Sequence, residues 1–176
     1  SMAETLVREV LFKNIDTKEM TNRLDMPYEE GGGGWNKLRA ETISRRTENI
    51  LFQVNGLRES PSESIPKLAG YLTDLFHLKL DQTQKLRLQA TLTLRIDSKI
   101  GQAELKKRLD KSINQGGVGL HKQTAEKVSR EVEVIMLLKY SSTMLFSDLL
   151  KMSLRMFKAR TMRKFLTIPG MGAGLS

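Results

Sequence analysis

The sequence feature that most constrains the fold is a strict alternation of apolar and polar residues from Lys85 to Asp97. Every even-numbered residue in this stretch is apolar, and every odd-numbered residue is polar or charged. Because successive side chains of a β-strand point to opposite faces, the alternation predicts a strand whose Leu face is buried and whose Thr and Arg face meets water. As a helix, the stretch would place Leu86 nearly opposite Leu88 and would have no single apolar face to bury.

Two further stretches are predicted to be strands. Residues 131–140 alternate as well and are apolar on both faces in their middle, which is typical of a central strand. Residues 77–81 continue the even-position pattern and are expected to form a hairpin with strand 85–97. The predicted fold is therefore α+β: a small antiparallel sheet of two to three strands covered by about four helices. The predicted helices are residues 35–57, 64–76, 99–114 and 143–166. We expect no internal repeat.

Four consecutive glycines at 31–34 divide the chain into parts of opposite charge. Residues 1–30 hold four Lys and Arg against seven Asp and Glu, whereas residues 31–176 hold twenty-five against thirteen. A tetraglycine favours a flexible tether. We therefore interpret 1–30 as a tag remnant, Ser1-Met2, plus a partner peptide, residues 3–30, and 31–34 as its linker. Residues 35–168 are expected to form a single α+β domain, with residues 169–176 a flexible tail. The alternative is one natural chain with a glycine-rich loop.

The segment before the glycines has the spacing of amphipathic helices. Asp16 or Thr17 is expected to cap a second helix, and Met26-Pro27 to end it. The apolar residues of the first helix are predicted to form the interface with the basic domain, as an amphipathic helix does in an apolar groove. These interface residues are Leu6, Val7, Val10, Leu11 and Ile15.

Composition excludes several classes of function. The chain has no cysteine, which removes disulfides, thiol catalysis and cysteine-type zinc sites. The longest apolar run, residues 134–138, is far below the roughly 20 residues that span a bilayer. His77 and His121 have no neighbours at metal-ligand spacing, and neither a nucleophile elbow nor an acid/base pair is evident. We therefore predict a non-enzymatic protein without a metal or cofactor.

Two stretches invite comparison with phosphate-binding elements. The glycines within 115–124 are wrongly spaced for a phosphate loop, and no strand leads into them, so a helix end with a loop is favoured. The region after Asp148 holds cations without any carboxylate, which is typical of a stripe that binds a phosphate backbone. The alternative is the solvated outer face of a core helix. The cations are Lys151, Arg155, Lys158, Arg160, Arg163 and Lys164.

These observations together favour a binding protein. The net charge of +9 favours acidic partners such as nucleic acid, acidic protein segments or anionic lipid. The first hypothesis is a protein-interaction and assembly module that binds an amphipathic helix of an acidic partner, as a subunit of a nucleic-acid-associated complex. The alternatives are a DNA- or RNA-binding domain that uses the basic C-terminal helix, and a peripheral binder of anionic membrane. An intracellular location is expected, nuclear rather than cytoplasmic.

Overall fold

A computed structural model describes residues 1–11 and 15–140 of the chain. These residues form seven α-helices and two 3-10 turns, at Tyr28–Glu30 and Ile113–Gln115, and none of them is in a strand. The predicted α+β fold with its antiparallel sheet is therefore wrong, because the described part of the chain is all helical. The helices are α1 (Met2–Leu11), α2 (Thr17–Asp25), α3 (Lys37–Glu59), α4 (Pro61–Leu75), α5 (Gln82–Ile96), α6 (Gln102–Asp110) and α7 (Lys122–Tyr140).

The predicted long strand 85–97 is helix α5. Its start is set by a capping box between Asp81 and Gln84. The Gln84 amide donates to Asp81 Oδ1 at 2.8 Å. The Asp81 amide donates to Gln84 Oε1 at 3.0 Å.

The buried face of α5 is formed by Leu88, Leu92 and Ile96, which lie four residues apart. Thr91, expected to meet water, is buried beside them. The alternation was misleading because this helix has apolar residues on more than one face.

The other two predicted strands are also wrong. Residues 131–140 are the second half of α7, which buries Val128, Val132, Ile135 and Met136 at helical spacing. Residues 77–81 form the loop between α4 and α5, and this loop ends at the capping residue Asp81.

The predicted helices match the structure more closely. Predicted helix 35–57 corresponds to α3, 64–76 to α4, and 99–114 to the shorter α6. The predicted cap at Asp16 is confirmed, since its Oδ1 accepts a hydrogen bond from the Glu19 amide at 2.7 Å. The predicted helix 143–166 and tail 169–176 lie outside the described residues.

The described chain divides into two compact units, with a boundary inside α3. Within the described residues, the first unit ends at Phe52 and the second unit runs from Gln53 to Tyr140. The core of the first unit is Ala3, Leu6, Val7, Val10, Met20, Leu24, Ala40 and Ile43. The largest fully buried side chains of the second unit are Leu57, Leu68, Leu72, Leu88, Leu92, Ile96, Leu105, Leu109 and Ile135.

Residues 106–135 repeat the sequence of residues 21–50. The two copies align at a constant displacement in residue number, which pairs Arg23 with Arg108. Thirteen of the thirty paired residues are identical, and no gap is needed to align them. The expectation of no internal repeat is therefore wrong. The identical pairs are Arg23/Arg108, Leu24/Leu109, Asp25/Asp110, Gly31/Gly116, Gly32/Gly117, Gly34/Gly119, Lys37/Lys122, Ala40/Ala125, Glu41/Glu126, Ser44/Ser129, Arg45/Arg130, Glu48/Glu133 and Ile50/Ile135.

The helices follow the same displacement. At this displacement in residue number, both ends of α2 align with those of α6, and the first 3-10 turn aligns with the second. The start of α3 aligns with the start of α7. The displacement also takes the last residue of α1 to the last residue of α5. The order α1, α2, α3 in the first unit is thus repeated as α5, α6, α7 in the second, and α4 lies between the two copies in sequence.

Candidate functional site

Each copy contains a glycine loop, the first at residues 26–35 and the second at residues 111–120. In both loops, two amides donate to the last carbonyls of the preceding helix, so the loop folds back along the helix end. The four bonds are Gly33 to Arg23 (2.9 Å), Trp35 to Leu24 (2.8 Å), Val118 to Arg108 (3.1 Å) and Leu120 to Leu109 (2.9 Å).

Two of the shared glycine positions are required by this geometry. Gly31 and Gly116 have φ of 83° and 86°, the left-handed region that side chains disfavour. A Cβ at Gly32 would lie 2.1 Å from the Met26 carbonyl oxygen, and one at Gly117 would lie 1.9 Å from the Lys111 carbonyl oxygen. Residues 31–34 are thus an ordered loop with a counterpart in the second unit. The interpretation of residues 3–30 as a fused partner peptide stays a prediction.

The second glycine loop does not form a phosphate cradle. A cradle needs several backbone N–H groups that point at the ligand. Here each amide from Gln115 to Leu120 donates to a carbonyl of the same chain, for example Gly116 to Ile113 at 3.0 Å and Gly119 to Lys111 at 2.9 Å. These amides therefore serve to close the loop.

The predicted partner-interface residues lie in the core of the first unit. Leu6, Val7 and Val10 are buried in that cluster, and Leu11 and Ile15 are partly buried against it. The cluster includes residues of α2 as well as α3, so the five residues complete a three-helix core. The structure brings the five residues together in this cluster, and their role as a partner interface stays a prediction.

The second unit holds a groove between α4 and α5 with a volume of about 610 Å³. Leu86, in its lining, is 57% exposed, so its apolar side chain meets solvent beside the groove. Gln89 and Thr93 add polar groups to the same lining. We name this surface the α4/α5 groove. Its apolar lining consists of Pro61, Ile65, Pro66, Leu86, Ala90 and Ile96.

The helices on either side of the α4/α5 groove are both tied to α7. The Tyr71 hydroxyl of α4 donates to Glu131 Oε1 at 2.7 Å. Arg95 of α5 makes a two-pronged ion pair with Glu133, at 2.7 and 2.9 Å, and both side chains are largely buried. The hydrogen bond to Glu133 raises the pKa of Arg95, so this guanidinium stays charged. Because α4 and α5 are both fixed on α7, the groove is formed before any partner binds.

Sequence reasoning missed the α4/α5 groove because Leu86 and Ala90 were placed on the buried face of a strand. In the helix, they lie four residues apart and outward. Helical spacing of these two residues, together with the capping box at Asp81, was the signal that pointed to an apolar helix face.

The remaining predicted sites are the C-terminal cations and the two histidines. The cations Lys151, Arg155, Lys158, Arg160, Arg163 and Lys164 lie outside the described residues. His77 and His121 are exposed, and the described residues contain no group of three or more His, Asp or Glu side chains placed to hold a metal ion. No helix in the described part of the chain is long and apolar enough to cross a membrane.

Comparison with known proteins adds no assignment: no protein-family model, no curated protein and no solved structure matches this chain.

Proposed function

We propose that this protein is a non-enzymatic interaction module that binds an amphipathic helix of an acidic partner protein in the α4/α5 groove. The observation that carries this proposal is the apolar lining of the groove, in which Pro61, Pro66, Leu86 and Ala90 are exposed above the buried Ile65 and Ile96. Helix-in-groove recognition needs such a lining to receive apolar side chains spaced three and four residues apart.

Binding gains free energy mainly from burial of this lining. Covering the exposed part of Leu86 is worth about 1 kcal/mol, and Ala90 and the two prolines add apolar area. Since α4 and α5 are already held by α7, little ordering entropy is lost on the protein side. A groove of this kind suits a moderate, reversible interaction.

The charge of the second unit favours an acidic occupant. Residues 53–140 hold fifteen Lys and Arg against ten Asp and Glu. An amphipathic helix with apolar residues on one face and carboxylates on the other matches both the groove and this excess of positive charge.

The test uses a phage-displayed library of helical peptides selected on the full chain. Selected peptides should carry apolar residues at helical spacing and acidic residues on the opposite face. A synthetic selected peptide should bind the wild type, and Ala90→Arg, which fills the groove, should weaken binding at least about tenfold, or about 1.4 kcal/mol. Ala103→Arg is the matched control, because it adds the same side chain to an exposed alanine of α6 outside the groove.

Methyl NMR spectra locate the bound peptide. Shifts confined to Ile65, Leu86 and Ala90 are expected. If no peptide is enriched, or if Ala90→Arg and Ala103→Arg bind the selected peptide equally, the groove is not a helix-binding site.

A second candidate function, direct binding of DNA or RNA, is favoured by the net charge of +9 and the six cations between 151 and 164. A phosphate backbone along these cations would release counterions, so affinity should fall steeply with salt and show little sequence preference. The triple variant Lys151→Glu, Arg155→Glu, Lys158→Glu should lose this binding in a gel-shift or anisotropy titration. Absence of wild-type binding at about 50 mM salt would exclude this function.

A further inference from the structure

The glycine loop of the first unit and the helix that follows it carry apolar side chains that meet solvent. Tyr28, in the 3-10 turn, is 74% exposed, and Leu38, in the first turn of α3, is 70% exposed. Met26, directly after α2, is exposed as well. Single exposed apolar residues are common on soluble proteins, whereas several on one loop and the adjoining helix turn are typical of an interaction surface. We name Met26, Tyr28 and Leu38 the first-loop surface.

The backbone that carries the first-loop surface is ordered. The Gly34 amide donates to the Met26 carbonyl at 2.9 Å. A Cβ on Gly34 would lie 2.4 Å from Tyr28 Cε2, so the tyrosine ring lies directly against this glycine. Asn36 caps α3, since its Oδ1 accepts a hydrogen bond from the Arg39 amide at 2.9 Å. A partner that binds this surface therefore orders little backbone on the protein side.

The second unit shows that closure of the loop does not require these side chains. Its loop closes with the equivalent backbone hydrogen bonds, yet two of the three equivalent residues are polar. The third, Ile113, lies against Gly119 as Tyr28 lies against Gly34, and it is only 38% exposed. Folding of the loop thus does not explain the exposed apolar residues of the first unit. The pairs are Met26/Lys111, Tyr28/Ile113 and Leu38/Gln123.

Two exposed carboxylates, those of Glu29 and Glu30, belong to the same 3-10 turn as Tyr28. Neither is paired with a cation among the described residues. The second unit has the uncharged Asn114 and Gln115 at these positions. A partner that covers the apolar side chains brings its own charges close to the two carboxylates. Lys and Arg are favoured there, whereas nucleic acid and anionic lipid are repelled.

We propose that the first-loop surface binds a basic segment of a partner protein. Apolar side chains of this segment cover Met26, Tyr28 and Leu38, while its Lys or Arg side chains pair with Glu29 and Glu30. An Arg guanidinium can also stack on the exposed tyrosine ring. This inference is independent of the α4/α5 groove, which belongs to the second unit and favours an acidic partner. The protein then has two surfaces that select partners of opposite charge.

Selection of a phage-displayed library of random peptides tests this proposal. The selection uses the full chain with Ala90→Arg, so that peptides for the α4/α5 groove are not enriched. Enriched peptides should combine Lys or Arg with apolar residues. A synthetic enriched peptide should bind the wild type, and Leu38→Gln, which places the second unit's residue at this position, should weaken binding at least about tenfold. Leu86→Gln, the same change at an exposed leucine of the second unit, is the matched control and should leave the affinity unchanged.

Failure of this selection is distinct from failure of the α4/α5 groove, because the two use different variants. If no peptide is enriched, or if Leu38→Gln and Leu86→Gln bind the enriched peptide equally, the first-loop surface is not a binding site. A dimer of the wild-type chain in sedimentation velocity that Leu38→Gln dissociates would assign the surface to a second copy of this chain and overturn the proposal.

Salt dependence tests the two carboxylates. Glu29→Asn with Glu30→Gln, the residues of the second unit, should weaken peptide binding several-fold at about 50 mM salt. The difference from the wild type should shrink at about 500 mM salt, since exposed charges are then screened. Glu48→Gln with Glu59→Gln removes two exposed carboxylates of α3 and should have little effect. Enrichment of acidic peptides, or equal binding by the two double variants, would overturn the assignment to a basic partner.

Discussion

The two units share a backbone and differ in the side-chain pairs that hold their helices. Both close the glycine loop on the preceding helix, and both have an ion pair near the end of that helix, Glu19 with Arg23 and Glu104 with Arg108. These shared features act within one helix and its loop. Within the loops only three glycine positions are identical, and at two of them, Gly31/Gly116 and Gly32/Gly117, the backbone geometry disfavours any side chain.

The pairs between helices have diverged. In the first unit, Thr21 donates to Ser44 at 2.7 Å. Their counterparts are Lys106 and Ser129, and the buried Ser129 hydroxyl has no hydrogen-bond partner among the described residues. The second unit has the Arg95–Glu133 pair, where the first unit has Val10 and the exposed Glu48. The two units thus close the loop in the same way, while each core has its own polar contacts.

The largest expected effect concerns the shared loop. Gly32→Ala and Gly117→Ala should each cost about 3 kcal/mol, because the new Cβ meets a backbone carbonyl that moves only with the loop. Chemical denaturation measures both. Gly70→Ala is the control and should change stability by less than about 1 kcal/mol, since a Cβ there meets no atom within 4 Å. Tolerance of alanine at either Gly32 or Gly117 would mean that the two loops are not equivalent.

The buried ion pair gives the next effect. Glu133→Gln should destabilise the protein by about 2 kcal/mol, because it leaves the largely buried Arg95 without its charged partner. Glu48→Gln, the same change at the equivalent exposed position, should fall within about 0.5 kcal/mol of the wild type. Urea unfolding of both variants measures this difference, and equal losses would show that the pair is not specific to the second unit.

A smaller effect is expected for the paired serines. Ser44→Ala should cost about 1 kcal/mol, because it removes a hydrogen bond from Thr21. Ser129→Ala should be neutral or slightly stabilising, since it removes a buried hydroxyl that has no partner among the described residues. Thermal unfolding of the two variants provides the comparison, and the reverse order would contradict the difference described between the two cores.

The smallest effect is electrostatic. The hydrogen bond from Arg108 holds the pKa of Glu104 below its usual value of 4.5. Because the folded pKa is lowered, the stabilisation is present above the ordinary glutamate pKa and is lost as pH falls through the lowered value. NMR titration of the Glu104 carboxyl should show this lowered pKa, and Arg108→Gln should raise it. If the pKa of Glu104 is unchanged in Arg108→Gln, the hydrogen bond from Arg108 is not the main cause of its lowering.

Much of the helical structure could be predicted from local sequence. Asp16 as a cap, Met26-Pro27 as a stop, and the apolar spacing of Leu6, Val7 and Val10 all act within a few residues of each other. Such signals depend on neighbouring backbone groups, so they can be recognised without knowledge of the rest of the chain.

Helices α5 and α7 show where local pattern failed. A helix with apolar residues on several faces can show the period-2 alternation of a strand as well as the 3.6-residue period of a helix. Helix α5 has apolar residues on several faces because it packs on both α4 and α6. The internal repeat was the sequence signal that would have identified α7 as a helix. Residues 37–50 were correctly predicted as helix, and their partners in 122–135 share Ala125, Ser129 and Ile135.

The cap at Asp16 and the identical residues of the two copies can be found in the sequence alone, because these signals lie in residues close together or in the same order. Which apolar side chains are buried and which line the α4/α5 groove depends on how the helices pack. Leu86 and Leu88 are chemically identical neighbours, yet one is exposed and the other is fully buried. That difference depends on the helices that pack around α5, and on contacts such as Tyr71 with Glu131 that join residues distant in sequence.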